Sequence, residues 1–355
     1  MDASMANEPD GARSHRDATS DPVEGLLGHV GVVVIGRNEG ARVPLALASA
    51  AGCAGHVVYV DSASTDGSAE RARRLGVYVC GLAATDGLTA ARGRNAGFSM
   101  LMEVAPQTRF VQFLDGDSVL QPGWLALASD TLERDSSVAA VCGILREKDH
   151  EQSLVRRLLD MEWHRASGRI HSPGGIFMVR AAEFAAAGMF DPSVAQGEEA
   201  EFAIRLRARG GQIVRLPSPM AVHDSGMRGL GPWWRRCRRG GRGYAEGVER
   251  YGTGDGGANA RRRASCLLWG ALLPAGLVGS VVGALFVHPA FAIGGGVLVA
   301  AWMLQAVRTA WRRRGDFGWR HALLYGAFCM IAKFPEAVGV LTYRSPRMRE
   351  VGPQA

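Results

Sequence analysis

A chain of 355 residues is long enough for one full hydrophobic core and a further segment. Its formal charge of +7 comes mostly from arginines that bracket apolar stretches, without an independent basic domain and interleaved aromatics, so nucleic acid is not an expected partner. The six cysteines are scattered with no Cys-x-x-Cys pair, which argues against a zinc site or a disulfide framework and fits a reducing compartment.

Residues Met1 to Pro22 are polar and lack the apolar core of a signal peptide, so residues 1–28 are expected to form a disordered tail. Apolar runs then alternate with helical stretches. Val30 to Ile35 reads as a strand that stops at Gly36, Arg37, Asn38 and Glu39, and Val43 to Ala51 as a helix. His56 to Val60 is a second strand ending at Asp61, and Thr65 or Asp66 can cap the helix that runs through Arg74. A strand over Val77 to Cys80, a helix over Leu88 to Val104, a strand over Phe110 to Leu114, a helix over Trp124 to Arg134 and a strand over Val138 to Gly143 complete the series.

Strands that are apolar on both faces and alternate with helices imply an α/β domain, its mostly parallel sheet covered by helices on both faces. Ligands of such sheets bind outside the carboxyl ends of the strands. The polar residues fall there: Asn38 and Glu39, then Asp61, then Asp115 and Asp117 with only Gly116 between them. Each alone could be a loop carboxylate or a cap, but three strand ends carrying them together point to a shared nucleotide pocket. Two carboxylates one residue apart offer oxygen ligands to a hard divalent cation, Mn2+ or Mg2+, which is most useful where a diphosphate is held. No G-x-G-x-x-G follows the first strand and no G-x-x-x-x-G-K-[ST] occurs, so the usual phosphate cradles are missing. A diphosphate would be neutralised by metal on the acidic pair, helped by Arg92 or Arg94.

Beyond His150 the alternation breaks down. Gly174 to Phe184 reads as a short strand entered by a glycine-permitted close approach and followed by a helix. Glu198, Glu199 and Glu201 open an amphipathic helix that Gly210 and Gly211 stop. Acids in a first turn complement the helix dipole; a carboxylate on a rigid helix start is also a suitable general base. His223 closes a short stretch near the end of this region and, beside an acidic metal site, could serve as a third ligand through a neutral ring nitrogen.

From Cys266 to Val287 and from Ala290 to Val307 there is no charged residue, with only His288 and Pro289 between. Two such stretches read as a membrane hairpin, and a buried helical pair is the alternative. Arg235, Arg236, Arg238, Arg239, Arg242 and Arg261 to Arg263 precede it, and Arg308 and Arg312 to Arg314 follow, which places both ends on the cytoplasmic side. Lys333 and Glu336 within the last apolar stretch suit an interfacial helix better than a clean third span.

The order VGVVVIGRNE, VDSASTDGS, ARGRNAG, FLDGDS, GGIFMVR, GEEAEF and AVHDS, over roughly 200 residues, resembles the inverting glycosyltransferase family 2 with its GT-A fold. The resemblance implies that Asp61 contacts the nucleobase, although Ser62 and Ala63 replace the Asp and Gly that usually follow. It implies that Arg94 and Asn95 contact the nucleotide, and that Asp115 and Asp117 bind the metal, Asp117 directly. It puts the base at Glu199, where the family usually has the Asp of a Glu-Asp pair, with Glu201 as the substitute if the longer side chain does not fit. A disordered tail (1–28), a catalytic domain (29–228), a basic membrane-proximal segment (229–263), a hairpin with an interfacial helix (264–345) and a second tail (346–355) follow.

The resulting expectation is an enzyme on the inner, cytoplasmic membrane that moves a sugar from a nucleotide-diphosphate sugar to a lipid-linked or glycan acceptor among membrane lipids. A nucleotidyltransferase could use a similar sheet and acidic site, but GRNEG is a poor version of its triphosphate loop. A membrane-tethered, non-catalytic sugar-nucleotide-binding protein is kept open by Ser62 and by the Glu199 departure.

Overall fold

The computed structural model describes residues 27–194, 196–252 and 257–344. The tails expected over residues 1–28 and 346–355 therefore lie outside the described residues, apart from 27 and 28.

The first four strands, β1 (Leu27–Gly36), β2 (Ala54–Asp61), β3 (Tyr78–Gly81) and β4 (Phe110–Asp115), pair in parallel in the order β3-β2-β1-β4. Val32, Val33 and Val34 are consecutive and fully buried, because helices cover both faces of the sheet. Those helices are α1 (Arg42–Ala51), α2 (Ser68–Arg74), α3 (Ala90–Val104) and α4 (Trp124–Arg134). Thr89 caps α3 by accepting the Arg92 N–H. A Cβ on Gly97 would stand 2.3 Å from a Val33 methyl, so the glycine lets α3 lie directly on the sheet and carries Arg94, one turn earlier, to the edge where the strands end.

The second half is mixed, and extends the parallel sheet rather than repeating it. β5 (Ser118–Leu120), β6 (Val138–Glu147), β7 (Gly168–Arg169), β8 (Phe177–Arg180) and β9 (Gln212–His223) continue the order as β4-β8-β6-β9-β5, with β7 on β9. β8 runs antiparallel to β4 and β6, while β6 and β9 are parallel. The helices here are α5 (Leu154–Trp163), α6 (Ala181–Ala186) and α7 (Glu198–Ala208). Phe98, Phe113, Phe177, Phe184, Phe190 and Phe202 pack edge-to-face or tilted between α3, the sheet and α7, giving this half a rigid aromatic floor.

The C-terminal part is helical: α8 (Leu230–Tyr251), α9 (Ala258–Leu267), a single π turn at Leu268–Leu272, α10 (Leu273–Phe286) and α11 (Phe291–Leu341). Ala258–Phe286 and Phe291–Leu341 are long and apolar enough to cross a membrane, with mean hydropathy 1.8 and 1.5 in their apolar windows. Only 11% and 6% of those windows are buried, which is unlike the core helices of a soluble domain. The expected turn falls at His288–Pro289. α11 breaks at Gly318 (φ 70°, ψ 163°), and its second arm comes back against the first, where a Cβ on Gly326 would meet the Ala306 carbonyl. Glycines fasten this arm to its neighbours: Gly241 of α8 lies on the Glu336 backbone, Gly339 on Arg238, and Gly270 of the π turn on Lys333.

Candidate active site

The register brings the predicted strand ends together. Gly36 pairs with Asp61 across β1 and β2, and Ile35 with Asp115 across β1 and β4. Asn38 (φ 56°) sits in the left-handed region, its amide oxygen accepting the Thr65 N–H at 2.8 Å and its own N–H donating to Ser64 Oγ at 2.9 Å. These bonds tie the loops after β1 and β2 into one rim. Asp61 is buried, accepting the Ser64 N–H at 2.8 Å and the Tyr59 hydroxyl at 3.3 Å. Glu39 lies against Gly116 and contacts Arg42 at 2.6 Å; burial and then the neighbouring Asp117 charge push its carboxyl above the usual range.

The β5–β9 ladder sets Ser118 opposite His223, which brings the imidazole beside Asp117. His223 Nε2 stands 3.3 Å from Asp117 Oδ2, and Nδ1 stands 3.4 Å from Glu147 Oε2. Glu147 is fully buried and also accepts from the Ser225 hydroxyl (2.5 Å) and N–H (3.2 Å), while Trp163 meets the His223 ring edge-on at 4.6 Å. Burial lowers the His223 pKa, but the bonds with Asp117 and Glu147 outweigh it and push it up to about 10.

This donor set suits a hard divalent ion. Adjacent ligands around an octahedral ion with bonds of ~2.1 Å lie about 3 Å apart, close to the Asp117–His223 separation. A Glu147 carboxylate only accepts, so it orients Nδ1–H, and an ion at Nε2 would displace the proton that Nε2 shares with Asp117. Among the described residues no group of three or more His, Cys, Asp or Glu is close enough to hold a metal by itself, so phosphate oxygens or water would have to supply the remaining ligands.

Arg94 is the hub on the other side. Its side chain is 3% exposed, donating from Nη1 to Glu198 Oε1 at 2.7 Å and from Nη2 to Asp115 Oδ1 at 3.0 Å, with Glu199 Oε1 3.9 Å away. The expected close approach is made at Gly175, where a Cβ would come within 2.6 Å of Arg94 Nη2, 3.2 Å of Glu199 Oε1 and 3.4 Å of Asp115 Oδ2. Glu199 is 22% exposed; burial and the adjacent Glu198 charge raise its pKa to about 7 against the pull of Arg94.

Three of the expected residues are held by partners within the protein. Arg94 is engaged by carboxylates. The Asn95 amide clasps the Phe190 backbone in both directions, at 2.8 and 3.1 Å, and so holds the loop after α6. Glu201 is buried and bidentate to Arg205 at 2.5 Å, and Arg205 also donates to the Ala187 and Met189 carbonyls, so this acid fastens a loop where it lines the cavity and is already engaged by a guanidinium. Glu198 and Glu147 were not singled out by their sequence context. Glu198 could have been found only through its arginine partner, and Glu147 gave no signal because the expected strand stopped at Gly143, whereas β6 runs on to Glu147.

A cavity of about 990 Å³ opens from Asp117, Glu199 and His223 and extends between α5, α7, α8 and the second arm of α11.

A family model described as "Glycosyl transferase family 2" matches residues 31–186, the stretch that holds β1 to α6 and with them Asp61, Arg94, Asp115 and Asp117. That stretch is a family 2 glycosyltransferase domain. No curated protein matches the chain. Among solved structures, mannosyltransferase PcManGT from Pyrobaculum calidifontis, in complex with GDP-Man and Mn2+, is 20% identical over 88% of this chain and 87% of that one, with a TM-score of 0.55. S. aureus TarS (residues 1–349) is 16% identical over 61% of this chain and 65% of that one (TM-score 0.43). Glucosyl-3-phosphoglycerate synthase from Mycobacterium tuberculosis, with Mn2+, UDP and glucosyl-3-phosphoglycerate, is 18% identical over 63% and 80% (TM-score 0.44). The chain thus spans under two thirds of the TarS structure. The likeness to PcManGT establishes the GT-A type of fold.

Proposed function

We propose that this glycosyltransferase moves a sugar, with inversion, from a nucleotide-diphosphate sugar to a hydroxyl of a lipid-linked or polysaccharide acceptor at the inner face of the cytoplasmic membrane. The observation that carries the reading is the convergence of Asp115, Arg94 and Glu199 around Gly175, one strand end away from Asp117 and His223. It gives the site a donor half and an acceptor half. We further assign 29–228 to catalysis, 229–263 to the membrane surface and 264–345 to anchoring.

In this account Asn38, Glu39 and Asp61 form the rim that receives the nucleoside. Asp117, Asp115 and His223 hold a divalent cation, Mn2+ or Mg2+, which when bound stabilises the charge growing on the departing diphosphate. PcManGT, which carries GDP-Man and Mn2+, is in keeping with this donor chemistry. An acceptor hydroxyl is far too weak an acid to ionise beforehand, so Glu199 takes its proton as the new bond to the sugar forms. Glu198 and Asp115 take the short bonds to Arg94 and leave Glu199 only a distant one, which keeps its carboxylate basic. Attack opposite the leaving group needs no protein nucleophile. The arginines flanking the apolar helices suit anionic lipid headgroups.

The test is a panel of nucleotide sugars offered to the full-length protein with and without Mn2+ or Mg2+. Metal-dependent transfer lost in Asp117→Ala is expected; pyrophosphate-dependent exchange alone would point to a nucleotidyltransferase instead.

A further inference from the structure

The cavity that starts at the acidic site ends on a basic one. Its far wall is made by α8, α9 and the second arm of α11, and carries Arg239, Arg262 and Lys333. Arg239 and Arg262 are exposed and form no ion pair with a carboxylate among the described residues, while Arg262 lies over the Tyr244 ring at 5.5 Å. Lys333 is only partly exposed and is steadied by Glu336 at 2.7 Å, whose carboxylate also meets the Cys266 thiol at 3.1 Å. A second cavity of about 320 Å³ lies against the same two cations, lined by Ala258, Arg261, Arg262, Ser265 and Lys333. Arg262 and Lys333 therefore wall both spaces. They stand where the apolar segment Ala258–Phe286 begins and beside its π turn, since Gly270 packs on the Lys333 backbone.

Asp117 and Glu199 line the larger cavity beside the sheet, while Arg239, Arg262 and Lys333 line it on α8, α9 and α11; the other acids of that wall, Glu246 and Glu336, are paired with Arg250 and Lys333, and Glu162 with Arg236. A ligand that is anionic throughout is repelled at the first end, and a neutral one gains nothing at the second. An anionic group at one end with a neutral hydroxyl at the other fits in one orientation only. Exposed apolar helices adjoining the basic end supply a surface for an aliphatic tail.

We propose that this cavity is the acceptor site and that it takes a phosphate-bearing amphiphile, its phosphate between Arg239, Arg262 and Lys333 and a separate hydroxyl at Glu199. This rests on the glycosyl-transfer reading and narrows its acceptor. In the transfer the hydroxyl oxygen bonds to the anomeric carbon, the bond from that carbon to the diphosphate oxygen breaks, the proton passes to Glu199 and the nucleoside diphosphate leaves with the electron pair. Phosphate is bound away from the reacting carbon and is not consumed.

The experiment titrates the full-length protein in neutral detergent with dodecyl phosphate, dodecanol and inorganic phosphate by calorimetry, and repeats this with Arg239→Gln/Arg262→Gln. Both positions are exposed, so the double variant is expected to fold; its melting curve in the same detergent checks this. Dodecyl phosphate is expected to bind, with inorganic phosphate at least tenfold weaker, dodecanol without measurable heat, and the double variant at least tenfold weaker toward dodecyl phosphate. Inorganic phosphate binding as tightly as dodecyl phosphate would overturn the amphiphile, and undiminished binding by a folded double variant would overturn the site. Parallel titrations with UDP and GDP in Mn2+ separate the two readings: dodecyl phosphate binding without either nucleotide would sink glycosyl transfer, and the acceptor role with it, while supporting the anion site.

Discussion

Arg94 Nη1 donates to Glu198 Oε1 at 2.7 Å, a bond that engages the guanidinium beside Glu199. Glu199, the next residue, stands 3.9 Å from the same nitrogen. A buried arginine shared among three acids neutralises the nearest two, and the third keeps its affinity for a proton.

A pH dependence follows. Glu199 acts as a base only when ionised, so the rate should rise with pH and level off above about 7. Glu198→Gln frees Arg94 for Glu199 and should move the midpoint downward. Stability has the opposite sign: with the native pKa raised from 4.5 to about 7, the folded state binds more protons than the unfolded one between those values, so this contribution is lost as pH rises through the window. A pH–rate profile that is flat from 6 to 8, or a midpoint unmoved by Glu198→Gln, would contradict the arrangement.

Removal of either half of the Asp117–His223 pair tests the donor side. Asp117→Ala and His223→Ala should each weaken Mn2+-dependent nucleotide binding by tenfold or more, and Glu147→Gln, which loosens the imidazole, by a smaller factor. Calorimetric titration of UDP and GDP with and without Mn2+ reads this directly. Equal affinity in the presence and absence of metal would remove the cation from the account.

Gly175→Ala asks whether the hub tolerates a methyl. A Cβ 2.6 Å from Arg94 Nη2 must displace the guanidinium, so a loss of about 1–3 kcal/mol in stability and at least tenfold in transfer is expected. Thermal melting and transfer rates of one preparation check both. Wild-type values for both would mean that Arg94 has room that the geometry denies.

In the helical part, Gly241→Leu should separate α8 from the second arm of α11, because the side chain would occupy the place of the Glu336 backbone. Lower melting temperature in detergent is expected, with membrane association retained, since the apolar hairpin is untouched. Release of Gly241→Leu into the soluble fraction would show that this contact, rather than the hairpin, holds the chain to the membrane.

Much of the donor half was legible because β1, β2 and β4 are buried on both faces, so that each apolar run stops at the carboxyl end of the sheet, at Asn38, Asp61 and Asp115. β9 was not, because Pro217 and Pro219 interrupt its apolar pattern; β6 absorbs them with register shifts beside Ile144, opposite Pro219, and the strand runs on to His223. The acids of α7 show a different limit. Glu198, Glu199 and Glu201 are nearly equivalent as sequence and all line the cavity, and only three-dimensional partners separate them: Arg94 takes Glu198, Arg205 takes Glu201, and Glu199 is left with only a 3.9 Å approach to Arg94. Asn95 likewise sits in a motif that suggests a nucleotide contact, but its bonds to Phe190 depend on a loop 95 residues away.

Sugar transfer by Glu199→Gln and Glu201→Gln, measured side by side with the nucleotide sugar that the wild type uses, decides which acid is the base. With Glu199 as the base, Glu199→Gln binds nucleotide normally but loses at least a thousandfold in kcat, whereas Glu201→Gln loses stability more than turnover. Near-wild-type transfer by Glu199→Gln, with the loss moved to Glu201→Gln, would contradict that assignment.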